Sequence, residues 1–188
     1  MKIHQLLRDR RYQPFRDILL FAVLILGFHF FFRYWANHLH FVPFQDIIAS
    51  VYEYMVKALI RHSVWALNHL TNFEFSVHGR VIMVKNGNLL MHPSCSSLKQ
   101  SMEWIVLMTI FPGPWKHKAW FIPMGLVIIH IINVFRIVGL AGTMIYYPEH
   151  WHFAHSYIFR PFFYVVMFGL WVWWVEKFRN PSQQPVNR

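Results

Sequence analysis

Cysteine is almost absent from this sequence, since its 188 residues contain a single one, Cys95. One cysteine excludes an intramolecular disulfide and any metal site built mainly from thiolates. It lies in the stretch HPSCSSLKQ, where a polar segment meets an apolar one. A lone thiol at such a boundary is either a small residue at the start of a helix or a nucleophile, and composition leaves both interpretations open.

Charged residues are also scarce, and acidic residues most of all. Only 14% of the residues are charged, and 8 acidic side chains stand against 18 basic ones, for a net charge of +10. With 56% hydrophobic and 19% aromatic residues, the chain does not have the composition of an ordinary soluble domain. Nucleic-acid binding is not expected, because the basic residues cluster at the ends of apolar runs, as the cytoplasmic flanks of membrane spans do.

Four apolar segments are predicted to cross the membrane, at about 20 apolar residues for each span. They are residues 18–35, a shorter 98–111, 119–146 and 157–175. The first is longer than a signal-peptide core and no small-residue cleavage site follows it, so we expect it to be retained. The basic leader, the PGPWKHK turn and the basic tail should all lie in the cytoplasm. An even number of spans satisfies all three segments and places Cys95 outside.

The segment at about residues 44–94 is predicted to be an extracytoplasmic insert. Its first part carries Glu53, Lys57 and Arg61 at every fourth position, and lysine or arginine at the centre of a span costs about 2.5 to 3.5 kcal/mol each. An interfacial amphipathic helix is therefore favoured over a fifth span or a re-entrant segment. After it, alternating residues and the adjacent Asn86 and Gly87 predict a small β-hairpin or a three-stranded meander.

The predicted fold is an all-α integral membrane protein with about four transmembrane helices, an interfacial amphipathic helix and a small extracytoplasmic β-hairpin. Residues 1–180 are expected to form a single multi-pass membrane domain. Residues 181–188 are expected to be a disordered cytoplasmic tail. The sequence leaves the oligomeric state open.

Polar side chains from separate segments converge on the outer side of this predicted bundle. Cys95 opens the second span, where the helix N-terminus and Lys99 would favour a thiolate. Arg136 lies roughly 27 Å from the inner end of the third span, near the outer face, and an arginine at that depth marks a functional site or a structural pair. Asn133 lies one turn below it. Glu103 is expected to pair with Arg136 or with Lys99.

The outer segment YYPEHWHFAHSYIFRP holds three histidines before the last span. His155 is placed at the entrance to that span. His152 and His155 could share a helical face and bind a metal, but no cysteine or second carboxylate lies nearby, and no metal site is predicted. A thiol, an imidazole and a fixed cation from three segments are together what acyl transfer through a thioester requires.

At these residues the sequence resembles the exosortase/archaeosortase family of integral-membrane cysteine transpeptidases, and among them the compact members from Bacteroidetes. The resemblance rests on the cysteine of PSCSSLKQ, the arginine of NVFRIVGL and the histidine of HFAHSYIFR, and it covers roughly residues 93–160. The family pattern commonly has glycine two residues after the cysteine, where this chain has Ser97.

The resemblance implies a protease or transpeptidase in the bacterial cytoplasmic (inner) membrane, with its active site on the outer face. Its substrates would be exported proteins with a C-terminal sorting signal, which consists of a short motif, a transmembrane helix and a basic tail. Cys95 would attack the scissile carbonyl, Arg136 would stabilise the oxyanion or the thiolate, and His155 would transfer protons. The product would pass to a surface glycan or lipid acceptor, or be released, and no cofactor is implied. The supporting or substrate-binding residues would be Lys99, Glu103, Asn133 and His152.

A different class of function remains open at this stage. The chain would then be a non-catalytic membrane subunit, such as a partner for polysaccharide export or a haem-binding anchor. The haem would lie between His29 and His130, which are placed in two different spans. That interpretation predicts a Soret absorbance and tolerance of Cys95→Ala, whereas the transpeptidase interpretation predicts neither.

Overall fold

The computed structural model describes residues 13–38, 45–71, 73–85 and 87–179, and within these ranges the chain is mostly helical. The main helices are α1 (Gln13–His38), α2 (Gln45–Leu70), α3 (Leu98–Ile110), α4 (Trp115–Tyr146) and α5 (Arg160–Trp174). A small sheet between α2 and α3 consists of β1 (Ser76–His78), β2 (Val81–Val84) and β3 (Gly87–Leu90). The predicted tail at 181–188 and the basic leader lie outside the described residues.

Three helical stretches among the described residues are long and apolar enough to cross a membrane. They are Pro14–Tyr34, Trp115–Tyr146 and Pro148–Phe178. The predicted class, a multi-pass helical membrane protein with a small sheet, is confirmed, but the predicted count of four spans is not. The difference is α3, whose 13 residues extend only about 20 Å against a hydrocarbon core of about 30 Å.

A buried lysine of α4 donates hydrogen bonds to carbonyl groups at the C-terminal end of α3. The Nζ of Lys118 donates to the carbonyl oxygens of Thr109 at 3.0 Å and of Phe111 at 2.7 Å. The same ammonium lies 4.5 Å from the ring centre of Trp115. Carbonyl groups at a helix C-terminus carry partial negative charge and need donors wherever water is excluded. Lys118 therefore satisfies two carbonyl groups at the end of α3 from within the protein, without need of water.

The helices α3 and α4 form a close hairpin at the centre of the membrane bundle. The indole of Trp104 is fully buried and donates from Nε1 to the carbonyl oxygen of Ile122 at 3.2 Å. A Cβ atom at Gly125 would overlap this indole, so the absence of a side chain there permits the close approach. On the other side of the bundle, the ring of Phe21 from α1 lies 4.7 Å from that of Trp171 in α5.

A second apolar cluster lies where α2 and the sheet pack against the C-terminal half of α4. Leu59 of α2, Ile82 of β2 and Leu140 of α4 are all buried in it, while Lys57 and Arg61 are exposed. The helix α2 has the length of a span but not the apolar composition of one, which agrees with the prediction that it does not cross. Its position in the membrane interface stays a prediction.

The sheet is an antiparallel meander in the order β1-β2-β3. It agrees with the three-stranded alternative of the prediction, and Val84 of β2 pairs with Gly87 of β3 at the predicted turn. Asn86, the other predicted turn residue, lies outside the described residues. A Cβ atom at Gly87 would lie 3.0 Å from the sulfur of Met144 in α4, so this turn packs directly on the C-terminal end of α4.

The segment predicted as an outer loop is helical instead. A 3-10 turn at Pro148–His150, an α-turn at Trp151–Phe153 and a π-helical stretch at Ala154–Phe159 lead without a break into α5. The last span therefore begins near residue 148 rather than at residue 157. Pro161 has no N–H group for the carbonyl four residues earlier, and the wider π-turn is the usual local adjustment to such a gap.

Candidate active site

Cys95 lies on a 3-10 turn, Pro93–Ser96, directly before α3. Its backbone N–H donates to the carbonyl oxygen of His92 at 2.8 Å. Its own carbonyl oxygen accepts a hydrogen bond of 2.7 Å from Nδ2 of Asn133 on α4. Asn133 is completely buried, so the backbone of the cysteine is tied to the centre of the bundle by a side chain that cannot exchange its partner for water.

The turn between Cys95 and α3 depends on an unusual backbone conformation at Ser97. Ser97 has φ 60° and ψ 11°, in the left-handed region, and it is the only non-glycine residue with positive φ among those described. Its Oγ donates to the carbonyl oxygen of Ser96 at 2.6 Å. Such a residue costs about 1 to 2 kcal/mol relative to the right-handed region, and glycine avoids this cost. The glycine that is common at this position in the family that the sequence resembles would avoid this cost.

The first orphan N–H group of α3 is satisfied locally. Ser96 Oγ accepts a hydrogen bond of 3.2 Å from the N–H of Leu98. Ser96 thus supplies the capping oxygen, whereas the side chain of Ser97 makes no capping hydrogen bond. Cys95 therefore lies beside the N-terminus of α3 but one turn outside the helix itself.

Arg136 and His155 are in direct contact at the other side of the thiol. Arg136 Nη2 lies 3.1 Å from His155 Nε2, and the arginine is only 8% exposed. A guanidinium can only donate, so Nε2 accepts and the proton of the neutral imidazole is on Nδ1. The imidazole also stacks on the indole of Trp151, with ring centres 5.1 Å apart and planes 9° apart. Arg136 is within electrostatic reach of Cys95 as well.

These side chains line one cavity of about 310 Å³. It brings together Cys95, Lys99, Arg136 and His155, which sequence reasoning had singled out, although their roles stay predictions. Further residues that line the cavity come from α1, α2, α3 and α5, while α4 supplies Arg136. These additional lining residues include His29, Tyr52, Gln100, Arg160 and Tyr164.

Lys99 connects the cavity to two neighbouring groups. Its Nζ lies 2.7 Å from Nδ1 of His29 on α1 and 3.6 Å from Oε1 of Glu103, one turn along α3. Glu103 is fully buried behind the cavity wall. Of the two partners predicted for Glu103, the structure shows Lys99, and no ion pair joins Glu103 to Arg136 among the described residues.

Two histidine predictions change in the structure. His152 is exposed and does not line the cavity, although it is within electrostatic reach of His155.

His130 contacts His62 of α2 at 2.8 Å, whereas His29 contacts Lys99. The two imidazoles proposed as haem ligands thus have separate partners, which argues against the haem-anchor alternative. Within the described residues, no group of three or more His, Cys, Asp or Glu side chains is arranged to hold a metal ion.

Sequence reasoning did not identify Arg160 as a site residue, and its spacing explains why. In an α-helix, residues five positions apart project about 140° from each other, so His155 and Arg160 would face different neighbours. A π-turn brings positions i and i+5 onto one face. Because Ala154–Phe159 is π-helical, both side chains reach the same cavity. The proline after Arg160 is the sequence signal that a break in α-helical spacing was possible here.

A comparison with protein families gives one match, to the model described as transmembrane exosortase, over residues 14–173. The match extends from the first turn of α1 to the end of α5 and includes all the residues of the cavity. No curated protein and no solved structure matches the chain.

Proposed function

Because the chain belongs to the transmembrane exosortase family, a family of cysteine-type transpeptidases, we propose that it cleaves the C-terminal sorting signal of exported proteins and transfers them through a thioester on Cys95. The observation that supports this most directly is the shared cavity of Cys95, Arg136 and His155, which come from three different elements. A buried arginine beside a partly buried imidazole and thiol is costly in a membrane protein, whereas a nucleophile, a base and an oxyanion donor are what acyl transfer uses.

In the acylation step, Cys95 Sγ attacks the scissile carbonyl carbon and its proton passes to His155. The carbonyl oxygen becomes an oxyanion, and Arg136 donates an N–H to it. The C–N bond then breaks as His155 protonates the leaving amine, and a thioester remains on Cys95. In deacylation, an acceptor hydroxyl or amine, or water, gives its proton to His155 and attacks the thioester, and Cys95 leaves.

The contact between Arg136 and His155 in the substrate-free protein sets the order of these catalytic steps. His155 Nε2 is occupied by the guanidinium, and no hydrogen bond joins the imidazole to Cys95 Sγ in the described structure. Catalytic hydrogen bonds often tighten only when substrate is bound. When a substrate binds, its scissile carbonyl oxygen accepts a hydrogen bond from Arg136 in place of His155, and Nε2 is then free to take the Cys95 proton as the thiol attacks. Arg136 thus keeps the base inactive until substrate arrives.

The active site should face the outer side of the cytoplasmic membrane. Because α3 alone is too short to cross, this orientation requires that the basic turn between α3 and α4 still reaches the cytoplasmic interface. With that arrangement the leader, the turn and the tail all lie inside, as the positive-inside rule favours. Exported proteins with a C-terminal transmembrane signal are the expected partners, and a surface glycan or lipid is the expected acceptor.

The test is co-expression with an exported protein from the same genome that ends in a short motif, an apolar span and a basic tail. Cys95→Ala should abolish cleavage of that protein, and Cys95→Ser nearly so. Arg136→Ala should lose about 2.7 to 4 kcal/mol of transition-state stabilisation, and Arg136→Lys should recover little because it lacks the planar fork. His155→Ala should lose proton transfer and accumulate a hydroxylamine-sensitive adduct if deacylation suffers more.

Two neighbouring histidines provide matched controls for that series. His150→Ala and His152→Ala should be mild, because both side chains are exposed and neither lines the cavity. Normal cleavage by Cys95→Ala would end the transpeptidase proposal. Wild-type behaviour of His155→Ala together with loss in His152→Ala would move the base by one helical turn.

A further inference from the structure

The cavity around Cys95 contains positive charge that its own residues do not neutralise. Three permanent cations line it, Lys99, Arg136 and Arg160, and among the described residues no carboxylate does. Lys99 is paired with Glu103 from behind the wall. Arg136 contacts His155 and faces Cys95. Arg160 makes no hydrogen bond or ion pair within the described part of the chain.

The position of Arg160 indicates that this excess of positive charge does not serve to stabilise the fold. Arg160 lines the cavity and yet is exposed, so it is accessible to a molecule that enters the cavity. It is also within electrostatic reach of Arg136 and His155. Two guanidinium groups at one cavity repel each other unless an anion lies between or beside them. Tyr164, one turn along α5, also lines the cavity and offers a neutral hydrogen-bond donor near the same place.

We propose that Arg160 binds an anionic group, a carboxylate or a phosphate, of the molecule that enters the cavity, and so positions that molecule against Cys95. A guanidinium binds either group through two parallel N–H donors, which fixes orientation as well as charge. Arg160 is then a specificity residue, distinct from the group that stabilises the oxyanion. The identification of that molecule as substrate or acceptor rests on the proposed function; the anion preference of the cavity does not.

The single cysteine allows this preference to be measured without knowing the substrate. The rate of Cys95 modification is measured in the purified full-length protein with an anionic and with a cationic methanethiosulfonate, at low ionic strength. Each rate is divided by that of a free small thiol. A cavity of about 310 Å³ is about 8 Å across if it is taken as a sphere, and one unit charge at about that distance changes the local concentration of a singly charged reagent about two- to threefold in water. Because the two reagents respond in opposite directions, Arg160→Gln should lower the anionic-to-cationic ratio about fivefold.

Two further variants distinguish the effect of the Arg160 charge from a general effect of removing a cation from the protein surface. Arg160→Lys keeps the charge and should keep most of the ratio. Arg61→Gln removes an exposed cation on α2 that does not line the cavity, and it should leave the ratio unchanged. An equal ratio in Arg160→Gln and Arg61→Gln would overturn the proposal.

A measurement on the wild-type protein covers the case in which Arg160→Gln does not fold. Inorganic phosphate and acetate, at constant ionic strength, should slow the reaction of Cys95 with a neutral methanethiosulfonate. Stronger protection by phosphate would identify a phosphate-bearing molecule, and stronger protection by acetate a carboxylate. No protection by either, together with no preference for the anionic reagent, would refute the anion site.

The cleavage assay supplies the functional readout. Arg160→Gln should raise KM about tenfold or more with little change in kcat, since a group that binds substrate and transition state equally affects KM. A loss confined to kcat would place Arg160 in the chemical step and overturn its assignment as a binding residue. If Cys95→Ala still cleaved substrate, the proposed function would fail while the reagent ratios would still decide the anion site.

Discussion

Asn133 offers the sharpest test of how the candidate nucleophile is held in place. Its Nδ2 donates to the carbonyl oxygen of Cys95 at 2.7 Å, one helical turn from Arg136, and it is completely buried. Asn133→Ala leaves that carbonyl without its donor in a place that water does not reach. We expect the backbone at Cys95 to shift and catalysis to fall, although Asn133 itself does not touch the thiol.

The structure allows the cost to be divided into two parts. A buried acceptor that loses its partner costs about 1 to 3 kcal/mol. The Oδ1 of Asn133 has no partner of its own among the described residues, so its removal offsets part of this cost and the change in stability should be near 1 kcal/mol. The effect on rate should be larger. A misplacement of about 1 Å in a reacting group costs about 100-fold, so kcat should fall by about that factor with little change in KM.

The assay compares single-turnover cleavage with unfolding for three variants in the same detergent. Asn133→Ala and Asn133→Leu both remove the donor, and the second also keeps the volume. Asn133→Asp keeps the shape but places a carboxylate, which cannot donate, against the Cys95 carbonyl, so it should be at least as inactive. The control is Thr143→Val on the same helix, because Thr143 donates only to its own helix, to Gly139 at 2.9 Å.

The reasoning would be refuted by a normal kcat in Asn133→Leu protein that folds as well as the control. It would also be refuted by a loss of activity that merely follows the loss of stability in all three variants. In that case Asn133 would be a packing residue of the bundle and not a positioning residue for Cys95.

Four further predictions follow from other parts of the structure. Ser97→Gly should keep sorting-signal cleavage, whereas Ser97→Val should lose most of it because a β-branched residue is strongly disfavoured at φ 60°; equal activity of the two would mean that the left-handed turn is not needed. Lys118→Met should lower the free energy of unfolding by about 2 kcal/mol, since it removes two charged hydrogen bonds from the end of α3, and the exposed Lys116→Met should not; circular dichroism during thermal unfolding in detergent measures both, and similar midpoints would contradict the capping role. Glu103→Gln should reduce cleavage less than Arg136→Ala does, because its loss removes only the ion pair behind the cavity; the opposite order would bring Glu103 into the chemistry. A membrane-impermeant maleimide should label the single cysteine in intact spheroplasts, and labelling that requires permeabilisation would reverse the topology.

The sequence predicts the level of the candidate site in the membrane by counting residues, and that level stays a prediction. The rise per residue from the inner basic turn places Arg136 near the outer face, and the order of the spans brings Cys95 and His155 to the same side. The structure brings these three residues to one cavity. Their spacing in three dimensions could not be predicted, because it depends on which helix faces pack together.

The length of α3 could not be predicted from hydropathy. Residues 98–111 are apolar enough to suggest a span, but hydropathy does not distinguish a side chain that faces lipid from one that faces protein. Trp104 and Met108 are fully buried inside the bundle. The left-handed Ser97 at one end and Lys118 at the other fix where the helix begins and ends, and both are effects of tertiary structure.

Arg160 was missed for a related reason. Predictions of a shared face assume α-helical spacing throughout, and the π-turn before Arg160 breaks that spacing. Proline at position 161 indicates that the spacing can change but not which side chains come together as a result. The contact of Lys99 with His29 is similarly invisible in the sequence, because the two residues are 70 positions apart.

The short α3, closed at its end by Lys118, has a consequence for biogenesis. A segment of 13 residues is too short to be released into the bilayer alone, and its last carbonyl groups have no donors until the ribosome has synthesised Lys118. We expect α3 to enter the bilayer together with α4, as one hairpin. Cys95, which lies directly before α3, can make its contact with Asn133 only after α4 has been synthesised. A chain that stops between the two helices would have the thiol of the candidate site but neither Asn133 nor Arg136 beside it.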